Sequence, residues 1–262
     1  GSRDIPDVGE AKEDMSLEEW RKVIKEHFPE LAFAAETCLS VLSLLLINEV
    51  RNCFALMLID APSSGKTICL NFFTEIEKLT YPSDDFTPAS FVTNIAGRSK
   101  KQLEKIDLLP KLKGKMLVVR EMASMLCENE DRLRERLGKL TRVLDGEGYT
   151  NESGVHGQRG YKGDYIFHML GASTPFQLRV WKVMSGLGHR LFFLNINSPE
   201  ESDENLMDQL KGQNYKVKEI LCREATKTFV QNLWARFPDG VEWDKANDDE
   251  KAYEMIVKVS KF

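Results

Sequence analysis

Lys66 and Thr67 end an eight-residue run, "DAPSSGKT", that follows the apolar stretch "FALMLI". A Gly-Lys-Thr ending between a buried strand and a helix suits one kind of chemistry, the holding of phosphate. A tight turn there aims several backbone N–H groups at one point, and the start of the helix adds partial positive charge. Gly65 lets the chain pass close to a phosphate without a Cβ. Lys66 reaches the β- and γ-phosphates of a nucleotide, and Thr67 ligates magnesium. Pro62, Ser63 and Ser64 complete the loop, which Pro62 stiffens. The usual pattern opens on glycine, whereas this chain has Asp60. A carboxylate aimed at a triphosphate repels it, so the Asp60 side chain is expected to face away, toward a backbone donor or a lysine. The alternative is a turn that merely happens to be made of small residues.

Hydrolysis of a bound nucleotide needs a carboxylate to orient water, and usually a second to hold the hydration shell of magnesium. The run "MLVVRE" supplies one. Glu121 is the candidate base, while Arg120 stands where an aspartate is usual and is expected to point to a subunit contact, or to where DNA or a partner approaches. The alternative for Glu121 is an ordinary strand-end residue. In "MLGASTP", Ser173 or Thr174 ends a strand and can hydrogen-bond both the γ-phosphate and water, sensing whether ATP is intact. The alternative is a helix cap before Pro175. Arg190, in "GLGHRLFFL", follows a Gly-rich turn and precedes a strand. From there it can project into a neighbouring subunit's site and stabilise charge on the transferring phosphate. Otherwise it lies in a local surface ion pair.

These residues need a scaffold, and the hydrophobic pattern describes one. Strands are expected at "FALMLI", "FVTNI", "KGKMLVVRE", "YIFHMLGAS" and "RLFFLNI", with "TYPSDDFTPAS" as a polar connection. Two helices fill 16–49, the first opened by Ser16 with Glu19 at the capping-box position. A helix runs from about 67 to 79 after the loop. The charged segment "NEDRLRERLGKLTRVLD" places Leu133, Leu137, Leu140 and Leu144 on one helical face. "PFQLRVWKVM" reads as a short helix with Pro175 at its first position. After Ser198 the pattern is helical only. Strands alternating with helices argue for a three-layer α/β core with a parallel sheet. The chain divides into a loose tail at 1–15, a core at 16–197 and a small helical domain at 198–262.

Between Asp145 and Tyr165 lies "DGEGYTNESGVHGQRGYKGDY", rich in glycine and tyrosine, which suggests a hairpin. Its basic tip, with His156, Arg159 and Lys162, would meet phosphates, or the hairpin shapes a subunit interface. Asp145 and Glu147 are candidates for an acidic role there.

The net charge of −5 over 262 residues excludes a wholly basic nucleic-acid module, though not a local basic groove. Five scattered cysteines have no zinc-ligand spacing and read as reduced thiols of a cytoplasmic protein. The apolar run Leu31–Ile47 reads as a buried core helix rather than a membrane span, so no membrane partner is expected. Gly1-Ser2 reads as an expression scar.

In order and approximate spacing, "APSSGKT", "LVVRE", "LGAST" and "LGHRLFFL" resemble the AAA+ ATPases. "LLPKLKGKMLVV" and "VLDGEGYTNESG" look like segments of AAA+ domain proteins of phages, plasmids and bacterial genomes described as helicase- or replication-related. More distantly, the chain is similar to helicases of the MCM type. The resemblance covers about Leu42 to Asn197 and, loosely, a C-terminal lid. It implies a sheet ordered 5-1-4-3-2, ATP with magnesium between core and lid, and a ring or other homo-oligomer. Lys66 and Thr67 would bind phosphate and magnesium, Glu121 would be catalytic, Ser173 or Thr174 the sensor, and Arg190 the finger acting in trans. Arg223 is a candidate lid sensor. In MCM-like enzymes a hairpin before the sensor strand touches DNA, which implies DNA contact through 145–165. Three readings follow: an ATPase motor or loader on DNA, a slow regulatory ATP switch that controls assembly with a protein partner, and a small-molecule P-loop kinase. The first two are favoured by Arg190 and by the irregular Asp60 and Arg120 respectively.

Overall fold

The computed structural model describes residues 5–84, 86–93, 95, 97–126, 129–153, 157–186, 190–196, 215–242, 244, 250, 253, 254 and 257. Strand β1 (Ala55–Ile59) is apolar and buried throughout, as a parallel strand covered on both faces should be. It pairs in parallel with β6 (His168–Ser173) on one side and β7 (Leu191–Asn195) on the other. Beyond β6 lie β3 (Met116–Val119) and then β2 (Thr80–Ser83), also parallel. The sheet runs β2-β3-β6-β1-β7, while β4 (Gly148–Ser153) and β5 (Gly157–Lys162) form a separate antiparallel hairpin. With the hairpin set aside, the core strands read 5-1-4-3-2 from the β7 edge.

Alternate side chains along a strand face opposite ways, and each set builds its own core. Leu56, Leu58, Met116, Val118 and Leu170 pack with α1 (Leu17–His27), α2 (Ala32–Ser43), α3 (Lys66–Asn71) and α9 (Tyr215–Arg236). Ala55, Met57, Ile59, Leu117, Val119 and Met169 pack with α5 (Leu108–Leu112), α7 (Glu130–Val143) and α8 (Leu178–Ser185). Helices therefore cover both faces of the sheet. Gly171, mid-strand in β6, has a steric role: a Cβ there would come within 2.4 Å of the Met57 sulfur.

Helix α1 carries the expected capping box, with Glu19 N–H donating to Ser16 Oγ at 3.2 Å and Ser16 N–H to Glu19 Oε2 at 2.7 Å. Trp20 Nε1 donates to Thr226 Oγ1 of α9 at 3.0 Å. Residues 5–15, expected as a loose tail, are instead fastened to α9. Val8 is buried, and its carbonyl accepts from Gln231 Nε2, while Asn232 Nδ2 donates to the Glu13 carbonyl. α9 was expected within a small second domain; its Cys222, Phe229, Val230 and Trp234 share one core with α1 and α2. The other two tail helices, "SDENLMDQLKG" and "DDEKAYEMIVKVSK", fall almost wholly outside the described residues.

Four local expectations are corrected. The described residues of "FVTNI" make no strand: Phe91 is buried just after a 3-10 turn at Pro88–Ser90, and its carbonyl accepts from Leu109 N–H. The second core strand is "TYPS", inside the stretch read as a polar connection. It sits at the sheet edge, where Pro82 is tolerated because one side of the strand needs no donor. The helix after the loop stops at Asn71, well short of 79, and α8 starts at Leu178 with Gln177 as cap, three residues past Pro175. The apolar run 31–47 forms α2 and flanking 3-10 turns, with Ala34, Ala35, Cys38, Leu39 and Leu42 in the core. Cys38, Cys53, Cys69 and Cys222 are buried and form no disulfide among the described residues; Cys127 lies outside them. Burial, with Glu219 and Glu30 nearby, pushes the Cys222 thiol up to about 12, which keeps it protonated and inert.

Candidate functional site

β1 delivers the chain to the C-terminal end of the sheet, where residues 60–65 turn sharply before α3. Ser63 and Gly65 both take left-handed conformations, with φ of 66° and 82°. At Gly65 a side chain would be strained and would press on Leu31 at 3.1 Å. The Lys66 side chain folds back into the loop it closes. Its ammonium donates to the carbonyls of Asp60 (2.8 Å) and Ala61 (2.5 Å) and to Ser64 Oγ (3.0 Å). Lys66 is only 7% exposed. Burial pushes its pKa down, and the Asp60 and Glu121 carboxylates oppose that shift. A buried cation at the mouth of a loop is thus aimed at the point where the loop converges.

Cys69 N–H donates to the Gly65 carbonyl at 2.9 Å, the first bond that turns the loop into helix. Amides ahead of such a bond have no partner within the helix and are open to an anion. Thr67 is exposed at this end. Asp60 faces a backbone donor, as expected: its Oδ1 accepts from Ala61 N–H at 2.7 Å. One loop amide is therefore already taken by a carboxylate of the same loop.

Glu121 follows β3, and its Oε1 accepts from Ala123 N–H at 2.7 Å, capping the short helix α6 (Ala123–Leu126). It is exposed and lies near enough to Lys66 to act on its charge. Arg120, expected at a subunit or DNA contact, turns instead to the loop after β2. Its Nε and Nη2 grip the two Asp84 oxygens at 2.6 and 2.7 Å. This fork ties the Arg120 charge to the chain just after β2.

Ser173 ends β6 beside Ile59, and its carbonyl accepts from Asp60 N–H at 3.4 Å. Its Oγ is buried, in a residue 1% exposed, and has no hydrogen-bond partner among the described residues. Buried hydroxyls are rarely left so. Thr174 is the next residue and is half-buried. The structure therefore brings Lys66, Glu121 and Ser173 to one end of the sheet. Arg190 is at the other end. It precedes Leu191, the register partner of Ala55 at the start of β1, and its Nε donates to Asp145 Oδ1 at 2.9 Å. Asp145 also accepts from Arg142 at 3.0 Å. Arg223 lies on α9 and pairs with Glu75 at 2.7 Å.

The insert forms the expected hairpin, with β4 and β5 paired from Gly148–Lys162 to Ser153–Gly157. Residues 154–156, and so His156, lie outside the described residues. Gly160 permits the close crossing, since a Cβ there would reach 2.1 Å from the Tyr149 carbonyl oxygen. Sequence reading missed the residue that anchors the hairpin. Asp107 is 1% exposed. It accepts from Tyr161 Oη at 2.7 Å, from Thr93 N–H at 2.9 Å and from Thr93 Oγ1 at 2.6 Å. Its only signal in the sequence is a lone acid inside the apolar run "IDLL".

No protein-family model and no curated protein matches the chain. Among solved structures it is similar to the apo NrS-1 C-terminal region, at 12% identity and TM-score 0.44 over 98% of this chain and 54% of that one. It is also similar to JCV helicase, at 12% identity and TM-score 0.42 over 94% of this chain and 60% of that one. A third is the SCCmec type IV Cch helicase, at 12% identity and TM-score 0.41, covering 97% and 51%. The chain spans between about half and three-fifths of these structures. Overlaps this loose carry no argument about its activity.

Proposed function

We propose that the chain is the ATP-binding and ATP-hydrolysing part of an AAA+ domain that works as a homo-oligomer, acting on DNA as a helicase-like motor or loader. The observation that carries the reading is Lys66, a buried ammonium held by three loop oxygens at the C-terminal end of the central strand. Triphosphate oxygens would replace those acceptors. Ser173 Oγ, buried and unpartnered, fits a γ-phosphate or its water, and Glu121 is the acid that would orient the water. Among the described residues no group of three His, Cys, Asp or Glu could hold a metal. Magnesium would be held by the phosphates and Thr67, as is usual for this ion.

Arg190 is held in a local ion pair with Asp145, and to act in trans it would have to leave that pair. Five strand residues separate it from the loop end of β1, roughly 16 Å along the sheet at strand spacing, so it cannot serve its own loop. The 145–165 hairpin would meet DNA, and the setting would be cytoplasmic.

ATPase rate per subunit, measured against protein concentration with and without DNA, tests this. The rate is expected to rise with concentration and with DNA, and to fall at least tenfold in Arg190→Ala. Mixing Arg190→Ala with Lys66→Ala protein should restore part of it, because mixed interfaces pair an intact loop with an intact arginine. A rate flat in concentration, with no rescue on mixing, would refute the shared site. The slow regulatory switch is favoured by one feature: Asp60 and Arg120 both withdraw from the usual chemistry. Asp60→Asn removes a negative charge beside the phosphate position while keeping an acceptor for Ala61 N–H. It should tighten ATP binding roughly tenfold, about 1.4 kcal/mol. Titration calorimetry showing equal or weaker binding would remove Asp60 as a restraint.

A further inference from the structure

The chain is acidic overall, yet residues 97–115 hold seven Lys or Arg against two acids, one of which is the buried Asp107. This segment forms α4 (Lys100–Ile106), α5 and the turn into β3. Its Arg98, Lys100, Lys101, Lys105 and Lys113 are exposed, as is Lys162 on β5. Among the described residues none of these six is in an ion pair, whereas α7 pairs its cations with Glu130, Glu135 and Asp145.

The segment and the hairpin are one surface. Asp107, between α4 and α5, holds Tyr161 of β5. Arg159 of β5 donates to the Ile95 carbonyl just before the segment. Lys113 Nζ lies 5.7 Å from the Tyr165 ring, and Gly114 N–H donates to the Ile166 carbonyl at 2.8 Å. Glu104 of α4 is near enough to help raise the pKa of both Tyr161 and Tyr165, behind the larger effect of their burial. The exposed acids on this surface are Glu104, Asp164 and, at the base of the hairpin, Glu147, whose carboxylate lies 4.0 Å from Arg142.

We infer that α4, α5 and the base of the β4–β5 hairpin form a cationic surface that binds the phosphodiester backbone of nucleic acid without reading its sequence. Lysines left without acidic partners in an acidic protein mark where an outside polyanion supplies the counter-charge. Backbone contact by flexible lysines gives affinity and salt dependence but little base discrimination. An anionic membrane is the poorer fit, since α4 has seven residues and buries none, too short to lay an apolar face in a bilayer. The inference rests on the DNA-handling part of the proposed function but places the contact on residues outside the hairpin tip.

The test is fluorescence anisotropy with labelled single-stranded and duplex oligonucleotides, without ATP, over a KCl series starting at about 50 mM. Lys100→Ala/Lys101→Ala/Lys105→Ala should bind at least tenfold more weakly than the parent. Its slope of log affinity against log salt should be smaller by about 2 on single strands and about 2.7 on duplex, as three lost phosphate contacts require. Lys22→Ala/Lys25→Ala, on exposed positions of α1, should bind like the parent. Normal binding by the triple variant overturns the surface and leaves DNA contact to the hairpin. An equal loss in the α1 variant overturns it as a mere effect of net charge. A parent that ignores both oligonucleotides but binds anionic vesicles overturns this inference and the DNA reading together, while ATP binding, measured separately, stands or falls with Lys66.

Discussion

Lys66→Ala loses nucleotide binding: the dissociation constant for ATP rises on the order of 100-fold or more, about 2.7 kcal/mol. The ammonium is the one buried cation at the loop, and it already sits among three oxygens, which is the coordination a phosphate cluster would offer it. Charge-assisted hydrogen bonds of this kind contribute roughly 1.5–3 kcal/mol each, so losing even two accounts for the effect. Lys66→Arg keeps the charge but places a planar fork where a compact ammonium fits, and should recover only part of the affinity. Titration of a fluorescent ATP analogue measures both. The acceptors freed in the alanine variant lie at the loop surface, where water can reach them, so the melting temperature should move by only a few degrees. Unchanged affinity with unchanged folding would end the phosphate-loop reading.

The second large effect is on stability. Asp107→Ala should cost roughly 3 kcal/mol or more, because three donors lose one buried acceptor at once. Tyr161→Phe removes a single donor and leaves Asp107 its Thr93 bonds, so about 1–2 kcal/mol is expected. Urea unfolding gives both values. A phenylalanine variant as damaged as the alanine variant would mean that ring packing, not the carboxylate, holds the hairpin. The pair also has a signature in pH. Burial, then the bond to Asp107, raises the pKa of the Tyr161 hydroxyl. The stability it contributes is complete below the ordinary tyrosine value of about 10 and is lost as pH rises from there toward the folded value. The gap between parent and Tyr161→Phe stability should therefore narrow at alkaline pH. A constant gap would contradict the assignment.

What could be read from the sequence was what short-range pattern controls. β1, the loop at 60–65, α7 and the hairpin each announce themselves within about twenty residues, by an apolar run, a Gly-Lys-Thr ending, a leucine stripe or a cluster of glycines. The place of Glu121 after β3 could be read because it follows an apolar run. β2 could not: it has four residues, lies at an edge and contains a proline, so neither period nor propensity singles it out. The anchoring role of Asp107 was hidden because its partners lie 14 and 54 residues away. The direction of Arg120 was hidden likewise, since Asp84 is 36 residues upstream. Trp20 and Thr226, 206 residues apart, fix α9 to the front of the chain, which made a tail of helices look like a separate unit. In each case the missing knowledge was of a partner, not of the residue.

The position of β1 at the heart of the sheet also has a meaning for biosynthesis. Its neighbours β6 and β7 are made long after it; Phe54 bonds to His168, 114 residues later, and Leu191 follows later still. Until both emerge from the ribosome, the strand that carries the loop has two open edges and no sheet to join. Pairings of such long separation close slowly, and exposed apolar strands invite association with other chains. A fragment that stops before His168 would therefore leave both edges of β1 open, and a nascent chain of this protein exposes residues 54–59 until β6 and β7 have been made.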